Sequence, residues 1–269
     1  MAFNPISGQH AIQEVVFGIV PAHPFTQPEI EIVAQAHSNW KDQLPKVSRG
    51  QFFDITIGPI GPMPGPSQAP SPVLDFERIN PDGTLSWRLH VESRAIFVNC
   101  LSYEGWDNAW PKARNFLKLA LQHATKQRKN GVKSTIFQVI DVFDWTGDKA
   151  DYNAMQLFRQ GSELVPDSMF RSGPLWHLHQ GRFFESPSLP LSAYRVLERV
   201  NIDSAENEAN QYSTRVDVFQ DLQLGSPIST SDFMMTGLEA AFKYLHDKNK
   251  DVVRALLTED MSKRIGLSK

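Results

Sequence analysis

Alternating apolar and polar residues recur in short runs along this 269-residue chain, and this period of two constrains the fold more than any other feature. The clearest run is Leu85–Glu92, in which apolar side chains alternate with serine, arginine, histidine and glutamate. Successive side chains of a strand point to opposite sides, so such a strand has one buried face and one polar face. The pattern therefore predicts antiparallel sheets that are covered on one side.

Apolar residues at helical spacing separate the strand runs. Thr26 and Glu29 form a capping-box pair that marks the first helix, and Thr258 is placed to cap a last helical turn that closes at Gly266. In the short third helix, Met155 and Phe158 are predicted to face inward. The predicted helices are residues 26–44, 106–129, 151–159 and a long final one that starts near Ser231. The predicted strands are residues 14–20, 51–57, 73–79, 84–91, 95–101, 134–143, 175–185, 194–202 and 213–224, with a proline-rich loop over 58–72.

The elements follow a similar order in the two halves of the chain. Residues 1–131 read β-α-β-β-β-β-α and residues 132–269 read β-α-β-β-β-α, without a residue-by-residue match. We therefore predict an α+β fold of two β-α-β(3-4)-α pseudo-repeats that resembles a TATA-binding-protein-like or helix-grip arrangement, with antiparallel sheets and helices mainly on one face. The N-terminal half (1–131) and the C-terminal half (132–269), which carries the long final helix, are either two domains or one continuous domain.

Composition narrows the class of protein. Hydrophobic residues make up 41% of the chain and charged residues 21%, which is typical of a globular protein. The net charge of −3 gives no general attraction to nucleic acid or to an anionic membrane. No secretory signal or membrane-spanning run is evident, and the single cysteine, Cys100, excludes an internal disulfide and is predicted to be buried and inert. These features predict a cytoplasmic protein.

The polar faces of the predicted strands collect arginine and histidine side chains. One interpretation is a surface that docks a protein partner or an anionic ligand, since the planar guanidinium suits recognition. The other is a solvated sheet face with cross-strand ion pairs. The candidate partner-binding residues are Arg88, His90, His177, His179, Arg195, Arg199, Arg215 and Asp217.

His177 and His179 are the candidates for metal binding. Two residues apart on a strand, their imidazoles lie on one side about 7 Å apart, which suits two ligands of a metal site. His90 or Glu92 could complete such a site, but no spacing defines a third ligand, and a polar sheet face explains the pair equally. Phosphate-binding, dinucleotide-binding, nucleophile-elbow and metalloprotease motifs are absent from the sequence. The sequence therefore predicts no catalytic residue and no cofactor, and it favours a non-enzymatic protein.

Several stretches of the sequence carry a resemblance to a known family. They are Phe3–Pro5, Ala11–Phe17, Tyr103–Trp106, Trp176–Gly181, Leu245–Lys250, Ala255–Thr258, Met261 and Arg264–Leu267. Together they resemble a sporadically distributed bacterial family of unknown function and of about this length. The resemblance spans nearly the whole chain, but its motifs are structural in character. It implies genes that travel horizontally, among which toxin–antitoxin pairs and antiphage defence components are common; no site residue follows from it.

Three hypotheses follow from these observations. The first is a non-enzymatic protein-interaction or regulatory component, antitoxin-like or part of an antiphage defence module. It would bind a protein partner or a second copy of itself through the open sheet face or the long C-terminal helix. The second is a small-molecule or nucleotide-binding sensor that uses the Arg/His-rich face. The third is a metal-dependent hydrolase that uses His177 and His179. A membrane partner is not expected, and nucleic acid is disfavoured.

Overall fold

Antiparallel strands and a few helices make up the chain in a computed structural model, which describes residues 2–52, 57–58, 61–62, 71–185 and 188–267. This confirms the predicted α+β class. The strands are β1 (Phe3–Pro5), β2 (Ile12–Pro21), β3 (Lys46–Phe52), β4 (Ile57–Gly58), β5 (Gly61–Pro62), β6 (Ser71–Ile79), β7 (Leu85–Glu92), β8 (Ile96–Cys100), β9 (Gly131–Trp145), β10 (Trp176–Phe184), β11 (Ala193–Glu206) and β12 (Tyr212–Ser229). The helices are α1 (Gln27–Gln35), α2 (Trp106–Ala124), α3 (Thr230–Asp232), α4 (Leu238–Leu256) and α5 (Glu259–Arg264).

The chain divides into two compact units. Unit 1 consists of Met1–Val16, Thr135–Gly225 and Gly237–Lys269, and unit 2 consists of Phe17–Ser134 and Ser226–Thr236. Each unit is described by itself below.

In unit 2, β8, β7, β6 and β3 are neighbours in that order, and each of these pairs is antiparallel. Aromatic contacts fasten α2 and the segment after α1 to one side of these strands. The ring of Phe116 lies 6.2 Å from that of Trp87, and the ring of Trp40 lies 5.0 Å from that of Phe76. The alternating residues of β7, including Arg88 and His90, therefore lie on the side away from α2.

In unit 1, β10, β11 and β12 form an antiparallel meander, with β9 next to β12 and β1 paired to β9. Helix α4 covers one face of these strands. Val252 and Val253 of α4 share a buried cluster with Val200 and Val216 of the sheet. We call the opposite side of β10–β12 the outer face.

The first helix begins where the sequence predicts, directly after Thr26. Glu29 accepts hydrogen bonds from the backbone N–H and the hydroxyl of Thr26, so the capping box forms as the sequence indicates. Thr258 likewise caps α5, and Gly266 follows that helix with a positive φ of 75°. Local side-chain chemistry determines these ends, which is why they are visible in the sequence.

The predicted helix over residues 151–159 is wrong. Two short 3-10 turns, Lys149–Asp151 and Ala154–Gln156, occupy this region instead. The side chains of Asp148 and Asn153 accept hydrogen bonds from backbone N–H groups two residues further on, which favours separate turns over one helix. Phe158 is buried as predicted, whereas Met155 is exposed.

Three other helix limits differ from the prediction. Helix α1 ends at Gln35 rather than near residue 44, and a 3-10 turn follows it at Ala36–Asn39. Helix α2 ends at Ala124 rather than near residue 129, and the last long helix is interrupted by a π-helical segment at Phe233–Gly237 between α3 and α4. The apolar residues of α4 that the sequence placed in register, such as Leu245 and Leu256, are buried.

Residues 53–56 of the predicted strand and most of the predicted loop over 58–72 lie outside the described residues. Cys100 is buried in β8. Within the described ranges, no helix combines the length and the apolar composition that a membrane crossing would need.

Candidate functional site

Six of the eight candidate residues lie on the outer face of unit 1. Cross-strand pairing arranges this face in rows, because residues directly opposite each other on paired strands lie on the same side. Strand β10 is at the end of the strand order, so β11 is the only neighbour in that order that it has. The rows that run from β10 through β11 to β12 are His177–Asp203–Arg215, His179–Asn201–Asp217, Gly181–Arg199–Phe219 and Phe183–Leu197–Asp221, followed by Arg195–Gln223 on β11 and β12.

Arg199 lies over an aromatic ring in the third row. Its guanidinium carbon is 4.0 Å from the ring centroid of Phe219 on β12. Gly181, opposite Arg199 on β10, makes this possible, because a Cβ at Gly181 would lie only 3.1 Å from Cγ of Arg199. Arg199 is exposed and forms no ion pair with any described residue. Its donors therefore remain available to a ligand or partner.

A second arginine is held between two aromatic rings. The guanidinium carbon of Arg195 lies 4.5 Å from the ring centroid of Phe183 and 4.7 Å from that of Tyr194. Both rings are exposed large apolar groups, 54% for Phe183 and 43% for Tyr194. Solvent can therefore reach both rings that sandwich the charge.

A β-bulge brings Tyr194 and Arg195 together. Adjacent residues of a regular strand point to opposite faces, but the β11–β12 register shifts between Ala193 and Arg195. As a result, the Tyr194 hydroxyl and Nε of Arg195 both donate to Oε1 of Gln223, at 3.1 and 2.7 Å. The bulge follows Leu191 and Ser192, whose φ angles of 59° and 53° are in the left-handed region. Strain at this level is typical of segments that hold a binding group in place.

The remaining polar residues of the outer face form weaker contacts. Arg215 is exposed and forms no ion pair among the described residues, although Asp203 is opposite it in the register. Oδ1 of Asp217 accepts a hydrogen bond from the amide of Gln138 at 2.8 Å, so this carboxylate is partly satisfied. Asp221 accepts from the amide of Gln223 at 2.7 Å. The acidic groups of the face are thus partly engaged by amides.

His177 and His179 lie side by side, with ring centroids 5.5 Å apart. Nε2 of His179 is 3.5 Å from Oδ1 of Asp203, which lies opposite His177 in the neighbouring row. Among the described residues, no group of three or more histidine, cysteine, aspartate or glutamate side chains is arranged to hold a metal ion. The pair therefore has one carboxylate neighbour but does not reach the number of ligands of a metal centre.

The other two candidate residues, Arg88 and His90, belong to unit 2, and acidic groups surround them. Nδ1 of His90 donates to Oδ1 of Asp75 at 2.7 Å, and its Nε2 lies 3.9 Å from Glu92. Burial disfavours the charged imidazole, but the hydrogen bond to Asp75 and the nearby carboxylate of Glu92 outweigh it and raise the pKa of His90 to about 9. Nε of Arg88 is 3.9 Å from the same oxygen of Asp75. This pair of cations is neutralised within its own sheet.

The aromatic rings that contact the arginines were not identified from the sequence. Strand alternation alone places Phe183 on the same face as His177 and His179, and Phe219 on the same face as Arg215 and Asp217. The sequence therefore contained the information needed to find both rings. A phenylalanine in a strand is more often a core residue, which hid it. Tyr194 carried no readable signal, since the bulge that turns it outward depends on pairing with β12.

No protein-family model matches this chain, and no curated protein matches it in sequence.

Proposed function

We propose that this protein is a non-enzymatic interaction or regulatory component that docks a protein partner on the outer face of β10–β12. The observation that carries the proposal is the presence of two arginines, the exposed Arg199 and the half-buried Arg195, that lie over aromatic rings and form no ion pair among the described residues. Tyrosine and arginine are enriched in the residues that dominate the binding energy of protein interfaces, and a stacked guanidinium keeps its N–H donors free.

Preorganisation of the face also supports docking. The bulge, the shared acceptor Gln223 and the two rings restrict the rotamers of Arg195 before any partner arrives. A side chain that is already ordered loses less conformational entropy when it binds. Exposed Phe183 and Tyr194 add apolar area that is accessible to solvent in the isolated chain.

Copurification from the native host tests the proposal. We expect the wild-type chain to recover a stoichiometric protein partner, or a second copy of itself, and Arg199→Glu to reduce that recovery at least tenfold. Lys118→Glu is the matched control, because Lys118 is exposed on α2 of unit 2 and undergoes the same charge reversal. Recovery of the free monomer alone, or equal losses in both variants, would contradict the proposal.

The alternative that shares this surface is a small-molecule or nucleotide-binding sensor, since stacked guanidinium groups also suit phosphates and bases. Thermal-shift measurements with nucleotides distinguish the two functions, because a ligand that binds only the folded state raises its melting temperature. A hydrolase based on His177 and His179 receives less support, since among the described residues Asp203 is the only carboxylate within 4 Å of either ring.

The biological role and the finer fold assignment are further parts of the proposal. An antitoxin-like or antiphage role in the cytoplasm rests on the family resemblance, and the identity of the copurified partner tests it. The two pseudo-repeats, residues 1–131 and 132–269, are supported by one parallel: a three-stranded antiparallel meander precedes a 19-residue helix in each half. Superposition of β6–β8 and α2 on β10–β12 and α4 in an experimental structure tests this assignment.

A further inference from the structure

Unit 2 contains a cleft of about 200 Å³. The end of β6, the start of β7 and the first turns of α2 form its walls. Two basic side chains, Arg78 and Lys112, line it, and Glu104 is its only acidic lining residue among those described. None of these residues belongs to the outer face of unit 1, so the site is independent of the proposed docking function.

Lys112 is held in this cleft without a carboxylate partner. Its ammonium lies 4.4 Å from the ring centroid of Trp87, and it forms no ion pair within the described ranges of the chain. Burial, and then the positive charge of Arg78, lower the pKa of Lys112, while Cys100 and Glu104 oppose this shift more weakly. A cation next to another cation is stabilised by any anion that binds between them.

Arg78 is positioned by backbone carbonyls rather than by an acid. It lies opposite Trp87 in the β6–β7 register, just before a register shift at Ile79. Its Nη1 donates to the carbonyl oxygens of Asp42 and Gln43, at 3.2 and 3.5 Å. These contacts orient the guanidinium, and within the part of the chain that the structure describes Arg78 forms no ion pair with a carboxylate.

Neutral hydrogen-bonding groups complete the lining. Asn80, which follows β6, Ser102 in the segment before α2 and Asn108 of α2 line the cleft. The amide of Asn80 also donates to the hydroxyl of Thr84 at 3.0 Å, and that of Asn108 to the carbonyl oxygen of Glu104 at 3.3 Å. Hydroxyl and amide groups of this kind donate to phosphate oxygens in many binding sites, next to lysine and arginine. The cleft therefore offers two positive charges and several neutral donors from different directions.

We propose that this cleft binds a phosphate group, carried by a small ligand or a phosphorylated side chain. A dianionic, tetrahedral group matches two adjacent cations and donors on several walls better than a planar carboxylate does. The volume of about 200 Å³ accommodates such a group but not a large organic ligand.

Titration with inorganic phosphate tests the site, with the full chain and with ionic strength held constant by sodium chloride. Phosphorus-31 NMR and calorimetry measure the association constant of phosphate. We expect Lys112→Gln and Arg78→Gln each to lower it at least about tenfold, since each removes a charge-assisted contact. Lys118→Gln, an exposed lysine on the same helix, is the matched control and should leave it unchanged.

Three outcomes would overturn the proposal. One is no binding by the wild-type chain beyond that of chloride; another is acetate binding as strong as phosphate binding; the third is equal losses in Lys112→Gln and Lys118→Gln. If circular dichroism shows that the variants do not fold, NMR titration of the wild-type Lys112 ammonium decides instead. Phosphate should raise the pKa of that group, and an unchanged pKa would contradict the site. Binding of free phosphate but not of a phosphoserine peptide would indicate a small ligand.

Discussion

Strand β7 of unit 2 and strand β11 of unit 1 have the same surface pattern, in which basic side chains alternate with apolar ones. The two strands differ in the groups that contact these basic side chains. In β7, Arg88 and His90 share Oδ1 of Asp75 on the neighbouring strand. In β11, Arg195 and Arg199 stack on aromatic rings and form no ion pair with the described residues. The residues of the neighbouring strand thus determine whether an arginine is paired with a carboxylate or keeps its N–H donors available to a partner.

The same contrast holds for one buried carboxyl in each unit, both 3% exposed. Glu29 in unit 2 accepts hydrogen bonds from Arg128 and Thr26, which outweigh the effect of burial and lower its pKa. Asp141 in β9 of unit 1 has no hydrogen-bond partner among the described residues, and burial raises its pKa to about 7. Both carboxyl groups are buried, so their pKa values shift in opposite directions because only the charge of Glu29 is compensated by partners.

The largest effect on the free energy of unfolding is expected from substitution of Asp141. Its pKa is higher in the folded than in the unfolded chain, so the folded state holds the proton more tightly and stability falls as pH rises from about 4 to about 7. Asp141→Asn has no carboxyl to ionise and should be more stable than wild type at pH 8, by up to about 4 kcal/mol. Urea unfolding at pH 4, 6 and 8 measures this. Glu29→Gln, the control at a compensated carboxyl, should be destabilised at pH 8; equal pH profiles for Asp141→Asn and wild type would contradict the account.

The second largest effect on the free energy of unfolding is expected from the loss of the partner of His90. Its pKa of about 9 is above the ordinary 6.5, so its stabilising contribution is complete below about pH 6.5 and is lost as pH rises through 9. Asp75→Asn should return the pKa of His90 toward 6.5 and cost about 3 kcal/mol at pH 6, with most of the difference gone at pH 10. NMR titration of the imidazole and chemical unfolding measure the two quantities. An imidazole that titrates near 6.5 in the wild-type chain would break the contrast between the units.

A smaller effect is expected at Gly181. An added Cβ would meet Cγ of Arg199 at 3.1 Å and the carbonyl oxygen of Glu198 at 3.3 Å. Gly181→Ala should therefore push Arg199 from the ring of Phe219, with a loss of about 1 kcal/mol in unfolding free energy and weaker partner recovery. Gly50→Ala on β3 is the matched control, because its nearest neighbour, Cβ of Val73, is 3.9 Å away. Full partner recovery by Gly181→Ala would show that the stacked position of Arg199 is unimportant.

The smallest expected change is in the stability of Arg199→Ala. An exposed cation–π contact contributes about 0.5–1 kcal/mol, so the variant should fold almost as stably as wild type. Partner recovery should nevertheless fall strongly, and this separation of binding from stability distinguishes a docking residue from a structural one. Differential scanning fluorimetry alongside copurification measures both. A large loss of melting temperature would assign Arg199 to the fold instead.

Local signals explain which parts of this molecule the sequence predicted. The capping box at Thr26 and the alternation in β7 and β11 depend on neighbouring residues, and both formed as expected. The helix over residues 151–159 failed because Asp148 and Asn153 compete for backbone N–H groups. The pattern also showed the polar faces, but not that Asp75 neutralises one of them or that a bulge turns Tyr194 toward Arg195. Those properties depend on the register between strands that are distant in sequence.

The most direct measurement is site-specific photocrosslinking in the native host. A photoreactive phenylalanine analogue placed at Phe183, on the outer face, should crosslink the copurified partner or a second copy of the chain. The same analogue at Val47, which is 39% exposed in unit 2, should not. Crosslinks at Val47 with none at Phe183 would contradict the assignment of the outer face as the docking surface.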